Sequence, residues 1–165
     1  MILLRKAKEQ DIEIISDLAE RIWPQTYSEY ISEEQLRYML DLMYNKGELL
    51  AQLQKGYHFL IAAEDGNDVG FACISVIDPE SQTYKLHKLY VLPEMHGKGV
   101  GKILINEVKN IAQRNSGKFL QLNVNKNNKA KIFYEKIGFT IKETVKIDIG
   151  NGFFMDDYIM DLKLS

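Results

Sequence analysis

A glycine-rich segment, residues 93–102, has the residue types that most clearly predict chemistry. It reads PEMHGKGVGK, with glycines at 97, 99 and 101, a histidine before them and two lysines among them. An apolar run, LYVL, leads in, and a stretch with helical periodicity follows. Glycine allows close backbone approach and positive φ, and a helix N-terminus offers unpaired N–H groups to an anion. The segment predicts a phosphate-binding loop; without a ligand, the same residues would form only a tight strand-to-helix turn.

Two common phosphate loops do not match this segment. A Walker loop ends in Gly-Lys-Ser/Thr, whereas Ile103 follows Lys102 here. A dinucleotide loop, G-x-G-x-x-G, would need glycine at Lys102 or at Leu104, depending on the register. The phosphate ligand is therefore of another kind.

Composition predicts a single globular domain over residues 1–165. The chain is 45% hydrophobic and 27% charged, with a formal net charge of −2 and a pI of about 5.9. The balance argues against a nucleic-acid partner, and no apolar run approaches the ~20 residues of a membrane span. The start, MILLRKAKEQD, is unlike a signal peptide, and a lone cysteine, Cys73, fits a reducing compartment. We expect a soluble, cytoplasmic protein.

For the first half of the chain, periodicity predicts one strand, then helices, and then two further strands. A strand over residues 2–7 precedes a helix capped by Asp11 and running to about Trp23. A second helix starts near Ser32, with Gln35 at capping-box spacing, and a shorter helical piece ends before Gly56. Strands over residues 57–64 and 69–77 follow, joined by the turn DGND.

The second half alternates strands and helices. YKLHKLYVL and KFLQLNV are strands on either side of the loop and its helix, a crossover that makes them parallel. A helix ending at Gly138 and a closing hairpin complete the chain. The predicted fold class is α+β, a mixed, mostly antiparallel sheet flanked by helices, in the order β-α-α-β-β-β-α-β-α-β-β.

Two motifs resemble those of the GNAT superfamily of N-acetyltransferases. LYVLPEMHGKGVG resembles the family's acetyl-CoA signature, [R/Q]-x-x-G-x-[G/A] after a strand with an apolar-x-Val-x-Pro pattern; His96 replaces the preferred Arg or Gln. NNKAKIFYEKIGF resembles the family's second element, which here comprises Asn127, Ala130, Tyr134, Gly138 and Phe139. The predicted element order matches the family fold from end to end.

The resemblance implies an acetyl-CoA site. The pantetheine arm would pair with the backbone of Leu89, Tyr90 and Val91, and the Val91 N–H would hold the thioester oxygen as an oxyanion donor. The pyrophosphate would sit on the loop formed by Gly97, Lys98, Gly99, Val100, Gly101 and Lys102, and His96 just before it is a further candidate for cofactor binding. A downstream asparagine would also contact CoA, and the motif spacing leaves Asn127 and Asn128 open.

Two residues are candidates for proton transfer. The resemblance makes Tyr134 the donor of a hydrogen bond or proton to the departing CoA sulfur; otherwise it is a core tyrosine beside Phe133. Strand alternation puts His87 on the face of Lys85 and Val91, where many relatives carry a glutamate that acts as a base through water. Lys85 would lower the pKa of His87 by like-charge repulsion. The alternative is a histidine packed on the sheet.

The acceptor site is implied around WPQTYSEY, between the first two helices. Trp23, Thr26, Tyr27 and Tyr30 would wall it; otherwise they form a helix–helix corner. Together with ISEEQ and the closing DYIM, this segment resembles bacterial polyamine acetyltransferases. Glu29, Glu33 and Glu34 would attract a cationic amine, although such a cluster also suits a solvated helix start.

The function implied is transfer of acetyl from acetyl-CoA to a primary amine by direct attack. A small amine such as a polyamine, a protein N-terminus and a lysine all remain open as acceptors, as does a homodimer. The three histidines lack metal-ligand spacing, so we expect no metal. Two alternatives are a catalytically inactive CoA-binding sensor and a nucleotide-binding regulatory module.

Overall fold

The computed structural model describes residues 1–164. Within them the helices are α1 (Ile12–Tyr27), α2 (Glu33–Met43), α3 (Lys46–Gln54), α4 (Val100–Arg114) and α5 (Ala130–Ile137). The strands are β1 (Ile2–Lys6), β2 (His58–Glu64), β3 (Asn67–Asp78), β4 (Thr83–Val91), β5 (Phe119–Asn125), β6 (Thr140–Gly150) and β7 (Phe153–Lys163). The short helical piece predicted before Gly56 is α3, which adds one helix to the predicted order.

The strands form a mixed sheet in the order β1-β2-β3-β4-β5-β7-β6. Strands β4 and β5 pair in parallel, with Leu86 opposite Leu122, as the crossover predicts. The pairs β1–β2, β2–β3, β5–β7 and β6–β7 are antiparallel. The α+β class with a mixed sheet flanked by helices is confirmed.

The chain divides into two compact units. Unit 1 comprises Met1–Ser75 and Lys88–Val108; unit 2 comprises Val76–His87 and the chain from Lys109 onward. Strand β4 passes from unit 2 to unit 1 after His87.

Unit 1 holds the helical layer formed by α1, α2 and α3. The predicted apolar stripe of α1 is buried in full: Ile12, Ile15, Leu18, Ala19 and Ile22. The Ser32 hydroxyl caps α2 by accepting the Gln35 N–H at 3.0 Å, as the capping-box spacing predicts. Asp65 and Gly66, both with positive φ, make the two-residue turn between β2 and β3.

Unit 2 holds the first half of β4 with β5, β7 and β6. Strand β5 alternates buried and half-buried residues, so it has one core face and one polar face. Helix α5 ends at Ile137, and Gly138 follows it with a φ of 119°, the left-handed conformation expected after a helix. Phe139 is buried directly after it.

Helix α1 differs from its prediction at both ends. It continues to Tyr27, although Pro24 lacks the N–H of a normal helical residue. The helical hydrogen bonds continue after the proline, because the Pro24 carbonyl accepts the Ser28 N–H at 3.1 Å. The Asp11 side chain does not cap α1; it accepts the Lys8 N–H at 2.9 Å and so closes the turn before the helix. Among residues 1–164, no helix is long and apolar enough to span a membrane.

Candidate active site

The glycine loop in unit 1 has the geometry of an anion cradle. Gly97 and Gly99 have φ of 82° and 84°, and a Cβ built on either would meet no atom within 4 Å. The first bond of the α4 ladder runs from the Ile103 N–H to the Gly99 carbonyl, so the amides from Gly99 to Lys102 precede it. Open space above left-handed glycines, next to a helix N-terminus, fits a pyrophosphate group.

His96 connects this loop to the end of strand β4. Its Nε2 lies 3.0 Å from the carbonyl oxygen of Val91. A carbonyl only accepts, so the imidazole donates through Nε2–H. The bond fixes the peptide that follows Val91, the residue proposed as the oxyanion donor. The histidine that replaces the family's Arg or Gln thus has a positioning contact of its own.

Gly70 on β3 allows close approach to the same part of β4. A Cβ at this position would lie 2.9 Å from the Tyr90 carbonyl oxygen and 3.3 Å from a Val91 methyl group. The Leu92 N–H donates to the Val69 carbonyl at 2.9 Å just beyond it. Sequence reasoning did not single out Gly70, although a glycine inside a strand is a known signal of close backbone approach.

We expect Gly70→Ala to impair turnover with acetyl-CoA. The new methyl must displace backbone at Tyr90 and Val91, and a misplacement of 1 Å at an active site costs about 10²-fold. Steady-state kcat at saturating substrates is the measurement. The matched control is Gly47→Ala in α3, where the Cβ would lie 3.4 Å from the nearest atom, the Asn45 Oδ1. Wild-type kcat in a folded Gly70→Ala variant would show that this contact is not needed.

Aromatic side chains surround Tyr90 in unit 1. The hydroxyls of Tyr27 and Tyr90 lie 2.8 Å apart, and the Trp23 ring packs against both. Trp23 is only 2% exposed, and the Thr26 hydroxyl binds the Ile22 carbonyl, so both serve the helix and core. Tyr30 is half-buried with an unpartnered hydroxyl, and burial raises its pKa to about 12. Of the four predicted acceptor residues, Tyr27 and Tyr30 pack edge to face, with 5.7 Å between their ring centres.

A buried lysine, Lys88, lies next to Tyr44, which packs against Trp23 of the aromatic cluster. The Lys88 ammonium donates to the Gln52 Oε1 at 3.0 Å and sits 5.4 Å from the centre of the Tyr44 ring. Burial raises the pKa of the Cys73 thiol to about 12, although Lys88 opposes this shift. Cys73 is therefore a protonated core thiol at neutral pH and a poor nucleophile.

In unit 2, Tyr134 lies in the core with Phe133 and Phe139 around it. Its ring is 7% exposed and makes edge contacts with both phenylalanines, at 5.3 Å and 5.7 Å between ring centres. Burial raises the pKa of its phenol, so the hydroxyl stays protonated at neutral pH. It can therefore donate a hydrogen bond.

The turn before α5 separates the roles of the two candidate asparagines. The Asn128 side-chain oxygen accepts the Ala130 N–H at 2.9 Å and so caps the helix. The Asn127 N–H donates to the Asn125 side chain at 2.8 Å, and the Asn127 side chain is exposed. The Asn128 side chain thus serves the start of α5, and a CoA contact by Asn127 remains a prediction.

His87 and Lys85 lie on β4 in unit 2, and both are half-buried. Burial lowers the pKa of Lys85, an effect that the charge of Asp157 opposes. The proton-accepting role of His87 remains a prediction. The loop with the residues at the end of β4 thus lies in unit 1, whereas His87, Asn127 and Tyr134 lie in unit 2.

The family is decided by the comparison with known domains. Residues 55–141, more than half of the chain, match the model of the acetyltransferase (GNAT) domain. The chain belongs to the GNAT acetyltransferase family. The resemblance of the two motifs is thereby confirmed.

Several proteins similar to this GNAT enzyme are named as N-acetyltransferases. A spermidine N(1)-acetyltransferase of Thermoplasma acidophilum is 29% identical over 87% of this chain and 91% of its own. A 5-NmdU N-acetyltransferase of Pseudomonas phage PaMx11 is 32% identical over 86% of this chain and 89% of its own. The crystal structure of the PaiA N-acetyltransferase from Thermoplasma acidophilum, in complex with coenzyme A, superposes with a TM-score of 0.82 at 28% identity, covering 99% of both chains.

These relatives establish this GNAT chain as an acetyl-CoA-dependent N-acetyltransferase. None of them supports a catalytically inactive CoA sensor. In the part of the chain that the structure describes, no cluster of His, Cys, Asp and Glu has the geometry to hold a metal ion.

Proposed function

We propose that this acetyltransferase moves the acetyl group of acetyl-CoA to the primary amine of a small cationic molecule, by direct attack of the amine on the thioester. The observation that carries this proposal is the glycine cradle that follows the end of β4, where His96 donates a hydrogen bond to the Val91 carbonyl. Backbone amides of residues 97–102 would bind the pyrophosphate, and residues 89–91 would pair with the pantetheine arm. The Val91 N–H would stabilise the oxyanion.

Direct attack is favoured because the chain lacks a cysteine suited to a covalent intermediate. Cys73 is the sole cysteine, it is fully buried, and its thiol stays protonated at neutral pH. An acetyl-cysteine step would need an exposed thiolate. In the proposed reaction the amine itself attacks the acetyl carbon, and the CoA thiolate leaves.

Proton transfer has two requirements in this scheme. An alkyl amine has a pKa near 10.4 and must lose a proton before it attacks; His87 would accept it, directly or through water. The departing sulfur needs a hydrogen bond, which Tyr134 would donate from its protonated phenol. Asn127 would hold CoA near the start of α5.

A small cationic acceptor is favoured by the walls proposed for the site. Tyr27, Tyr30 and Tyr90 present π faces and hydroxyls, which suit an ammonium carried on an aliphatic stem. The relative from Thermoplasma acidophilum is named for spermidine, which carries such groups. Protein N-termini and lysines are the competing acceptors.

Release of CoA from acetyl-CoA tests this function. We expect the wild-type enzyme to release free thiol in proportion to added 1,4-diaminobutane or spermidine. The kcat/KM for these amines should exceed that for a lysine peptide or an N-terminal peptide by about 10-fold or more, the discrimination that a few site contacts supply. Preference for either peptide would move the acceptor class to proteins. If the rate of thiol release does not depend on any added amine, N-acetylation of amines is refuted.

A further inference from the structure

Asp157 on β7 is a buried carboxylate with an incomplete set of partners. The described residues hold two buried charged side chains, Lys88 and Asp157, and the latter is 1% exposed. Lys88 has Gln52 as a partner, but the Oδ1 of Asp157 has no hydrogen-bond donor. Buried carboxylates are normally paired or fully hydrogen-bonded, so this oxygen lacks one N–H or O–H group.

The strand register places Asp157 on a polar face of unit 2. Asp157 lies opposite Asn125 on β5 and opposite Val145 on β6. Lys85 lies opposite Gln121, two pairs of residues further along the same face of β5. The side chain of Asn123, between them, hydrogen-bonds Asp157.

Burial and the neighbouring charges act in opposite directions on Asp157 and Lys85. Burial raises the pKa of Asp157, and the Asn123 hydrogen bond and the Lys85 charge lower it. Burial also lowers the pKa of Lys85. Lys85 thus acts on Asp157 through its charge, yet it does not satisfy the Oδ1. Asn123 and Lys85 are thus the groups that act on Asp157, and neither donates a hydrogen bond to its Oδ1.

We propose that an ammonium group of the acceptor amine donates to the Oδ1 of Asp157, which makes Asp157 a substrate-binding residue. The inference rests on the proposed function and adds a residue to it. The ammonium is either the group that will be acetylated or a second cationic group on the same molecule. The chemistry at Asp157 is the same in both cases.

The neighbouring positions suit the aliphatic part of such a molecule. Val145 pairs directly with Asp157, and Ile147 pairs with Met155 two residues further along the same face. Ile147 is 38% exposed and Met155 is half-buried, so apolar surface borders the carboxylate. Methylene groups next to an ammonium would be partly removed from water there.

The test compares Asp157→Asn with Asp156→Asn. Asp156 is the adjacent residue; it points to the opposite face, and its carboxylate pairs with Lys126 at 3.0 Å. We expect Asp157→Asn to raise the KM for 1,4-diaminobutane by roughly 10- to 100-fold, the usual worth of a hydrogen bond to a charged group. Asp156→Asn should leave that KM near wild type. Both variants should bind acetyl-CoA normally in a calorimetric titration.

Two acceptors identify which ammonium is bound. A KM increase for n-butylamine as well as 1,4-diaminobutane places the reacting amine on Asp157; an increase for the diamine alone places the second cation there. An unchanged KM for both amines in Asp157→Asn, or an equal increase in Asp156→Asn, overturns the proposal.

A second variant and a binding measurement cover the remaining outcomes. If Asp157→Asn does not fold, Lys85→Gln decides, because removal of the competing cation should tighten diamine binding; unchanged or weaker binding overturns the proposal. If the wild-type enzyme acetylates no amine, the proposed function fails. Calorimetric titration with 1,4-diaminobutane then tests the site alone: binding that is lost in Asp157→Asn supports it, and no binding to wild type refutes it.

Discussion

Gly99→Asp should severely weaken the binding of acetyl-CoA. The φ of 84° and the open space above Gly99 mean that a side chain here would extend into the volume proposed for the pyrophosphate. A carboxylate would also repel the phosphates at close range. We expect calorimetric titration with CoA to show a loss of about 10²-fold or more in affinity, the cost of adding a like charge at a desolvated contact.

Gly99→Asn separates charge from shape in this experiment. Asparagine and aspartate have nearly the same size and both tolerate the left-handed conformation, so the two variants share the same backbone cost. The asparagine variant should lose affinity by less than the aspartate variant. Unchanged CoA affinity in folded Gly99→Asp would refute the phosphate cradle. Tighter binding of ATP or NAD than of CoA by the wild-type protein would favour a nucleotide-binding module instead.

Tyr134→Phe should lower kcat by about 10²-fold and leave the affinity for acetyl-CoA nearly unchanged. The phenylalanine keeps the ring contacts with Phe133 and Phe139 and removes only the hydroxyl. That hydroxyl acts as charge develops on sulfur, so its loss affects the transition state more than the ground state. General acid effects span 10²–10⁴-fold, and a thiolate is a good leaving group, which favours the low end.

The pH dependence of kcat provides a further check on Tyr134. Burial raises the pKa of its phenol above the ordinary value of 10, so it stays protonated through the alkaline range. At every pH below about 10, we therefore expect no decrease in wild-type kcat from deprotonation of Tyr134. Tyr84→Phe is the matched control in unit 2, because the Tyr84 hydroxyl reaches only the Asn115 carbonyl, at 3.5 Å. Wild-type kcat in Tyr134→Phe would assign Tyr134 to the core alone.

The local elements of this protein were predictable from sequence because their signals are local. Ser32 with Gln35 predicted the start of α2, and Gly138 predicted the end of α5. The segment DGND predicted the turn between β2 and β3, which the structure confines to Asp65 and Gly66. The glycine loop and the downstream motif were sufficient to indicate the GNAT family, which the domain match confirms. Each of these signals depends on residues a few positions apart, where backbone sterics and capping dominate.

Contacts between distant segments were decided only by the tertiary structure. The approach of Gly70 to Tyr90 depends on the register of two strands, and the burial of Lys88 depends on Gln52 and Tyr44 from the helical layer. Asp156 and Asp157 are adjacent in sequence, yet Asp157 is buried and Asp156 is exposed. Alternation shows that such neighbours face opposite sides, but not which side is covered, because burial depends on all the segments that pack there. Sequence alone thus indicated the family and its CoA loop, and packing determined which polar groups remain unpaired beside the sheet.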